Sequence, residues 1–406
     1  MTRQLADWLP AFLDFTKGTE SPRLMHFWSG VSAIAGALRR KVWIDMEWFQ
    51  WTPSFYIIFV ADPGVVTKTT TMDMGMNLLK EVPGIKFGPD SVTWQALAGK
   101  FVEAEEMFEF EGGYYPMSPL TLASGELGDL VNPQDRAMIN FYISMWDGRK
   151  NYDKATKMSG NDNINRPWIN LIGCTTPHWI ADNMPKAVVG GGFTSRCIFV
   201  FAEEKETLVT FPDEHVRPDH AERRAALIND LEHMAVNLVG PYTIPEDARA
   251  WQRAWYEKLW RDRSDLFDKE AFKGYRARKQ THLNKLAMVM AASRSDERVV
   301  TLEDMLIADK MLVESEKHLE KVFSRIGRSE TSLESERLLR FVKAYGKLPY
   351  AKVMKHFLDS FPDHKDFEGV LTGLLRSNQV KLVFEGMPRM ENGKMVQDSF
   401  LVYCGE

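Results

Sequence analysis

The chain has 406 residues, 44% of them hydrophobic, and a net charge of −5. That length supports a sizeable core divided into two to four units at roughly 100 to 200 residues each, and the composition excludes a disordered tail. The acidic balance argues against wholesale coating of a polyanion but leaves room for a locally basic channel or patch. Cys174, Cys197 and Cys404 stand far apart with no C-x-x-C spacing, so neither a disulfide framework nor a zinc site is indicated, and a reducing, cytoplasmic setting is expected. The opening MTRQLADWLPAFLDFTK breaks its apolar run with charges and has no small-residue cleavage site. Nowhere do about 18 uncharged apolar residues follow one another, so a soluble chain with no membrane partner is expected.

Residues 4 to 20 and 23 to 39 read as helices, the second opened by the cap and first-turn pair Ser21-Pro22. The uncharged run SFYIIFVAD (54 to 62) predicts a strand buried on both faces, followed by PGVVTKTTT and a helix over MDMGMNLLKEV. Further buried strands are predicted at PLTLAS (119 to 124), WINLIGCTT (168 to 176) and CIFVFAEE (197 to 204), with helical patterns such as SVTWQALAGKFVEAEEMF and NPQDRAMINFYISMW between them. Apolar strands alternating with helices give an α/β core with a mainly parallel sheet. From Pro245 to about residue 327 the pattern is helical throughout. Past GRSETSLESE, three short helices precede VKLVFEG and MVQDSFLVY, two strands around ENGK, which is the pattern of a winged helix. The expected division is 1–45, 46–240, 241–327 and 328–406.

Chemistry is expected first at ADPGVVTKTTT, where a buried strand meets a helix and backbone N–H groups can cradle phosphates. In that reading Asp62, Pro63, Gly64, Val65, Val66, Thr67, Lys68, Thr69 and Thr70 form the loop. Lys68 reaches the β and γ phosphates of ATP and the Thr69 hydroxyl holds Mg²⁺. Against G-x-x-x-x-G-K-[ST], Asp62 replaces the first glycine and Thr67 the second, so a surface turn with a solvated lysine competes with this reading. Glu126, after LTLAS and Gly125, is the candidate to orient the attacking water and to help with the metal. Gly125 occupies the place of a second acid, with Asp129 nearby, and a solvated loop glutamate is the bland alternative. Thr175 or Thr176, at the end of the third strand, could sense the γ-phosphate, or either could cap the helix HWIADNM. Arg196 follows GGGFTS at the mouth of the fourth strand. It is read as an arginine finger for a neighbouring subunit's ATP, against a structural ion pair.

The stretches SPLTLASGELGDL, WINLIGCTTPHWI and GGGFTSRCIFVF resemble phage and prophage ATPases grouped under a domain of unknown function. TSRCIFVFAEE and RKQTHLNKLAMVMAASRSDERVVTLEDMLIAD are similar to the finger strand and lid of the archaeal and eukaryotic MCM helicases. Their lid pattern here is Arg278, then Leu286-Ala287, then Val300-Thr301 with Asp304. The resemblance covers about residues 20 to 325. It implies an AAA+ P-loop core over 46–240, a helical lid over 241–327 and a winged helix from 328, with Arg278, or its rival Arg276, as a second sensor arginine.

DGRKNYDKATKMSGNDNINRP corresponds to the hairpin that hexameric DNA motors use to follow single-stranded DNA. On that reading Arg149, Lys150, Lys154 and Lys157 contact phosphates, against a plain solvated loop. Lys365, Arg376, Lys381, Arg389 and Lys394 are candidates for duplex contact in the C-terminal domain, interleaved with acids that equally suit protein docking. The function expected is an ATP- and Mg²⁺-dependent replicative helicase of a phage or mobile element, working as a hexamer. The competing readings are a helicase loader or protein-remodelling ATPase, and an inactive nucleotide- or DNA-binding module.

Overall fold

The computed structural model describes residues 2–156, 160–185, 188–261, 266–267, 269–323, 330–357, 364–391 and 394–404. The chain is mixed α/β and divides into two compact units, Met1–Ile326 and Gly327–Glu406.

In the first unit, α1 (Trp8–Phe15) and α2 (Arg23–Leu38) precede a small sheet made by β1 (Val42–Asp45) and β2 (Gln50–Trp51). The expected first helix is shorter than 4 to 20: Asp7 caps it by accepting from Leu9 N, and Gly18, at φ +92°, lies in the irregular segment that follows. Next come β3 (Tyr56–Val60), α3 (Lys68–Lys80), α4 (Trp94–Glu103), β4 (Glu106–Phe110), β5 (Gly113–Ser124), α5 (Leu127–Leu130) and α6 (Arg136–Trp146). A hairpin of β6 (Asn151–Thr156) and β7 (Gly160–Asn165) leads to β8 (Pro167–Thr175), α7 (Pro177–Asn183) and β9 (Cys197–Phe201). The unit ends with α8 (His220–Asn237), β10 (Gly240–Tyr242), α9 (Glu246–Arg261), α10 (Glu270–Arg294), α11 (Leu302–Glu316) and α12 (Leu319–Phe323).

The main sheet has five strands in the order β4-β5-β8-β3-β9, parallel except where β4 meets β5. Every residue of β3 is buried, as a strand flanked on both sides and covered on both faces requires. The helix expected through Phe108 stops at Glu103, and Glu106–Phe110 is instead an edge strand. Glu111 and Gly112 both have positive φ, which closes a two-residue hairpin onto β5 and overrides the helical pattern.

Helix α3 is seated by α2. The Ser29 hydroxyl accepts a hydrogen bond from Gly75 N at 3.2 Å, and a Cβ on Gly75 would come within 2.7 Å of the Ser29 carbonyl oxygen. This close approach fixes the middle of α3 against α2. The helix over residues 302–316 begins with a capping box, Thr301 accepting from Asp304 N and the Asp304 carboxylate accepting from Thr301 N.

The second unit contains α13 (Glu330–Tyr345), β11 (Lys347–Pro349), α14 (Tyr350–His356), α15 (His364–Arg376), β12 (Val380–Glu391) and β13 (Lys394–Tyr403). Its three strands form an antiparallel sheet in the order β11-β13-β12. Phe367, Val370, Leu371 and Leu374 are buried together with Leu338, Val342 and Leu401 in a core of its own. No helix among the described residues is long and apolar enough to cross a membrane.

Candidate nucleotide site

β3, β5 and β8 end at the same edge of the parallel sheet, and their trailing residues converge there. Pro63, Gly64, Val66 and Thr67–Thr70 share a depression of about 240 Å³ with Gly125, Glu126, Thr175 and Thr176. Asp62 and Val65 belong to the same loop but do not line it.

The loop opens with a tight turn in which Val65 N donates to Asp62 O, with Pro63 and Gly64 in the middle. Gly64 sits at φ +73°, the place in a type II turn where glycine is wanted. Thr67 sits at φ −84°, so this backbone path asks for no glycine there. Its hydroxyl hydrogen-bonds Ser21 at 3.0 Å, and buried Val66 anchors the loop on the core. The two departures from the glycine motif therefore cost no backbone strain. No side chain caps α3 at Thr67. The first N–H groups of α3, those of Lys68, Thr69 and Thr70, have no carbonyl within the helix and suit an anion.

Lys68 is half-buried and donates from Nζ to the Ala61 carbonyl at 2.8 Å. Burial pulls its pKa down, while Cys174, Glu126 and Asp62 nearby oppose that shift. The Thr69 hydroxyl faces Gly125, where a Cβ would stand 3.4 Å from Thr69 Oγ1 and 3.2 Å from its methyl group. Cys174 lies beside Thr69 and, pushed up to about 12 by burial, remains an uncharged thiol. Glu126 is exposed at the end of β5; the Ser124 hydroxyl accepts from its N–H at 3.2 Å and donates to its carbonyl at 2.9 Å.

The two threonines of β8 separate cleanly. Thr176 caps α7, its hydroxyl accepting from Trp179 N at 3.1 Å. Thr175 is 2% exposed and its hydroxyl finds no hydrogen-bond partner among the described residues. An orphaned hydroxyl costs about 1 to 3 kcal/mol, and its position in this depression is what a bound oxyanion would satisfy. The donor set of one amine, free N–H groups and two hydroxyls fits a triphosphate. Mg²⁺ keeps most of its ligands as water and phosphate oxygens, so the residues that would hold it here are Thr69 and Glu126.

Arg196 and Arg278 are elsewhere. They line a second depression of about 410 Å³ that shares no residue with the first. Arg196 is not the projecting group expected of a finger. It is 5% exposed, its Nε and Nη2 donate to the Asp147 carboxylate at 2.9 and 2.6 Å, and its Nη1 donates to the Gly192 carbonyl. Loop 190–192 supplies that carbonyl, so the guanidinium is held by the loop as well as by Asp147. Arg278 is half-buried, and burial followed by the nearby Arg196 lowers its pKa. Its rival Arg276 donates from Nε to the Leu259 carbonyl at 2.9 Å and lies over the Trp260 ring, away from this depression.

Sequence reasoning missed two members of this second group, Asp147 and Lys285. Lys285 is fully buried, donating from Nζ to Ser54 Oγ at 2.8 Å and sitting 3.4 Å from the centre of the Trp146 ring. Burial drives its pKa well below the ordinary lysine value. Arg278, Thr281 and Lys285 follow one another at helical spacing along one face of α10, and that periodicity was the available signal.

Of the candidate DNA contacts, Arg149 and Lys150 are exposed at the base of the β6–β7 hairpin and not at its tip. Their carbonyls accept from Arg40 Nη1 and Arg166 N, which ties them down. The backbone of Lys154 lies on β6 in register with Asp162, and Lys157 lies outside the described residues. Lys365, Arg376 and Lys381 are exposed, whereas the side chains of Arg389 and Lys394 lie outside those described. A larger depression of about 650 Å³ holds Arg217, Arg223 and Arg224. These pair with Asp14 and Glu81, so it offers a weaker claim on an anion.

No protein-family model matches the chain, and no similar curated protein was found.

Proposed function

We propose that the chain is a P-loop ATPase of the AAA+ kind, acting as an ATP- and Mg²⁺-dependent DNA motor, a replicative helicase of a phage or mobile element that works as a hexameric ring. The observation that carries this reading is the meeting of Lys68, Thr69, Glu126 and the orphaned Thr175 hydroxyl at the C-terminal ends of three strands of one sheet.

In this mechanism Lys68 leaves the Ala61 carbonyl to neutralise charge between the β and γ phosphates. Glu126, held outward by the Ser124 turn, orients a water for in-line attack on the γ-phosphorus and accepts its proton. The Thr175 hydroxyl donates to the departing phosphate oxygens. Mg²⁺, when bound at Thr69, supplies charge neutralisation on the same oxygens. Arg278 completes the site from a neighbouring subunit, with Arg196 behind it held ready by Asp147. Support for this division is that both arginines share one depression remote from their own subunit's loop. Fixed positive groups aimed at developing charge are worth several kcal/mol in such a site.

What supports the DNA-motor reading over a loader is an antiparallel β6–β7 hairpin inserted in the chain between α6 and β8, the segment that the resemblance reads as a DNA-following hairpin. The C-terminal unit of three helices with an antiparallel sheet is read as a winged helix that contacts duplex DNA.

Mixing subunits tests the scheme. Lys68→Ala and Arg278→Ala copies, each inactive alone, should regain ATP turnover when mixed, because some junctions then pair an intact loop with an intact arginine. Mixtures that assemble yet remain inactive contradict it.

A further inference from the structure

Four helices among the described residues start directly after a threonine, and one of them departs from the other three. Thr93, Thr176 and Thr301 take extended backbone, with ψ of 153°, 155° and 168°, and their hydroxyls accept from Ala96 N, Trp179 N and Asp304 N. That is how a threonine seals a helix N-terminus. Thr67 precedes α3 at φ −84° and ψ 59°, and its side chain caps nothing. Its carbonyl still accepts from Thr71 N at 2.9 Å, so the helix begins in the usual register and only the hydroxyl is withheld.

Ser21 withholds it, since the two hydroxyls meet at 3.0 Å. Ser21 is 4% exposed and stands outside the loop, directly before Pro22 and α2. Its neighbour Glu20 is pinned to segment 205–209: Lys205 pairs with the carboxylate at 2.6 Å, Val209 N donates to it at 3.3 Å, and Glu206 N donates to the Glu20 carbonyl at 3.3 Å. Further along, α2 is fastened to α3 through Ser29 and Gly75. Ser21 is therefore a fixed point, and Thr67 is the partner that adjusts.

The consequence falls on Thr70. Each of the other three threonines accepts from the third residue of its helix. A released Thr67, with its backbone free to become extended, would by the same pattern accept from Thr70 N. That would occupy one of the N–H groups that suit an anion. The glycine of the usual phosphate loop has no hydroxyl and needs no such restraint.

We propose that Ser21 is a positioning residue for the nucleotide loop: it holds the Thr67 hydroxyl off the N-terminus of α3 and so keeps the Thr70 N–H open for phosphate. The inference rests on the reading that this loop holds ATP.

The experiment uses the full chain. Binding of ATP with Mg²⁺ is followed by calorimetry for the parent, Ser21→Ala, Thr67→Ala and the double variant. Ser21→Ala should weaken binding by about 3- to 30-fold, the equilibrium factor that a threonine cap is worth. Adding Thr67→Ala to it should recover most of that loss, because alanine cannot cap. Two residues that merely brace the loop together would instead give a double variant no better than Ser21→Ala. Amide exchange without nucleotide gives a second readout. The Thr70 N–H should exchange more slowly in Ser21→Ala than in the parent, whereas a loosened loop would exchange faster. Unchanged binding in Ser21→Ala, a double variant as weak as Ser21→Ala, or faster exchange at Thr70 would each overturn the proposal. Slower exchange at Thr70 in Ser21→Ala, with a parent that fails to bind ATP, leaves the restraint on Thr67 and removes the ATP reading. Normal ATP binding in all four proteins with Thr70 exchange unmoved removes the restraint alone.

Discussion

Arg196 and Asp147 form a bidentate pair, with the guanidinium donating from Nε at 2.9 Å and from Nη2 at 2.6 and 2.8 Å. Arg196 is almost fully buried, while the Asp147 side chain is 36% exposed. Asp147 therefore retains part of its hydration, and the arginine depends on it far more than the reverse. Removing the acid leaves a buried guanidinium beside two further basic side chains, Arg278 and Lys285, with no acid to balance them. Asp147→Ala is expected to lower stability by about 2 kcal/mol, below the range for a fully buried pair because one partner is wet. Chemical denaturation measures this, and a loss under about 0.5 kcal/mol, the usual scale for surface substitutions, would show that the pair is not what holds the arginine.

Lys285 makes a pH-dependent contribution of the opposite kind. Its pKa in the fold lies below the ordinary 10.5, with burial the main cause and Asp147, Arg196 and Arg40 the nearby charges. Between the folded and unfolded values the unfolded chain binds the extra proton, so stability rises with pH across that interval. Lys285→Met removes the term. The variant should be at least as stable as the parent at about pH 7, and its advantage should shrink as pH rises towards about 9 to 10. Denaturation curves whose difference is flat across that range would contradict the assignment.

Thr175→Val separates stability from function. The hydroxyl is buried without a partner, so an isosteric methyl should leave stability unchanged or raise it by up to about 1 kcal/mol. ATP turnover should nonetheless fall about tenfold or more, as loss of a transition-state donor predicts. A variant with normal turnover would remove Thr175 from the site.

The folding pattern was legible where residues are buried on both sides. The runs at 54 to 62, 168 to 176 and 197 to 204 cover the strands Tyr56–Val60, Pro167–Thr175 (all but Pro167) and Cys197–Phe201, because buried parallel strands leave an uninterrupted apolar signal even where, as in Cys197–Phe201, the strand lies at the sheet edge. Thr301 and Asp304 were legible only through the resemblance to the MCM lid, and the structure shows them as the capping box of α11. Glu106–Phe110 was not legible, because its strand state is imposed by a turn at Glu111-Gly112 and by pairing with Gly113–Met117. At the site, Lys68, Thr69 and Glu126 could be read from their places after strands. The division of labour between Thr175 and Thr176 could not, since it depends on which hydroxyl meets Trp179 N. Arg196 was seen as an arginine at a strand mouth, but its partner Asp147 is 49 residues away in sequence.

The hairpin lysines are tested by salt dependence. If Lys154 and Lys157 each meet a phosphate of single-stranded DNA, replacing both with alanine should make the slope of log affinity against log salt shallower by about 1.4, at about 0.7 per contact. An unchanged slope would place the DNA path elsewhere.

The central claim is that Lys68 serves ATP hydrolysis coupled to DNA. ATP turnover by the purified chain and by Lys68→Ala, each with and without single-stranded DNA, tests it most directly. The account predicts turnover that DNA raises several-fold and that Lys68→Ala abolishes in both conditions. Turnover that survives Lys68→Ala, or that is indifferent to DNA, would contradict it.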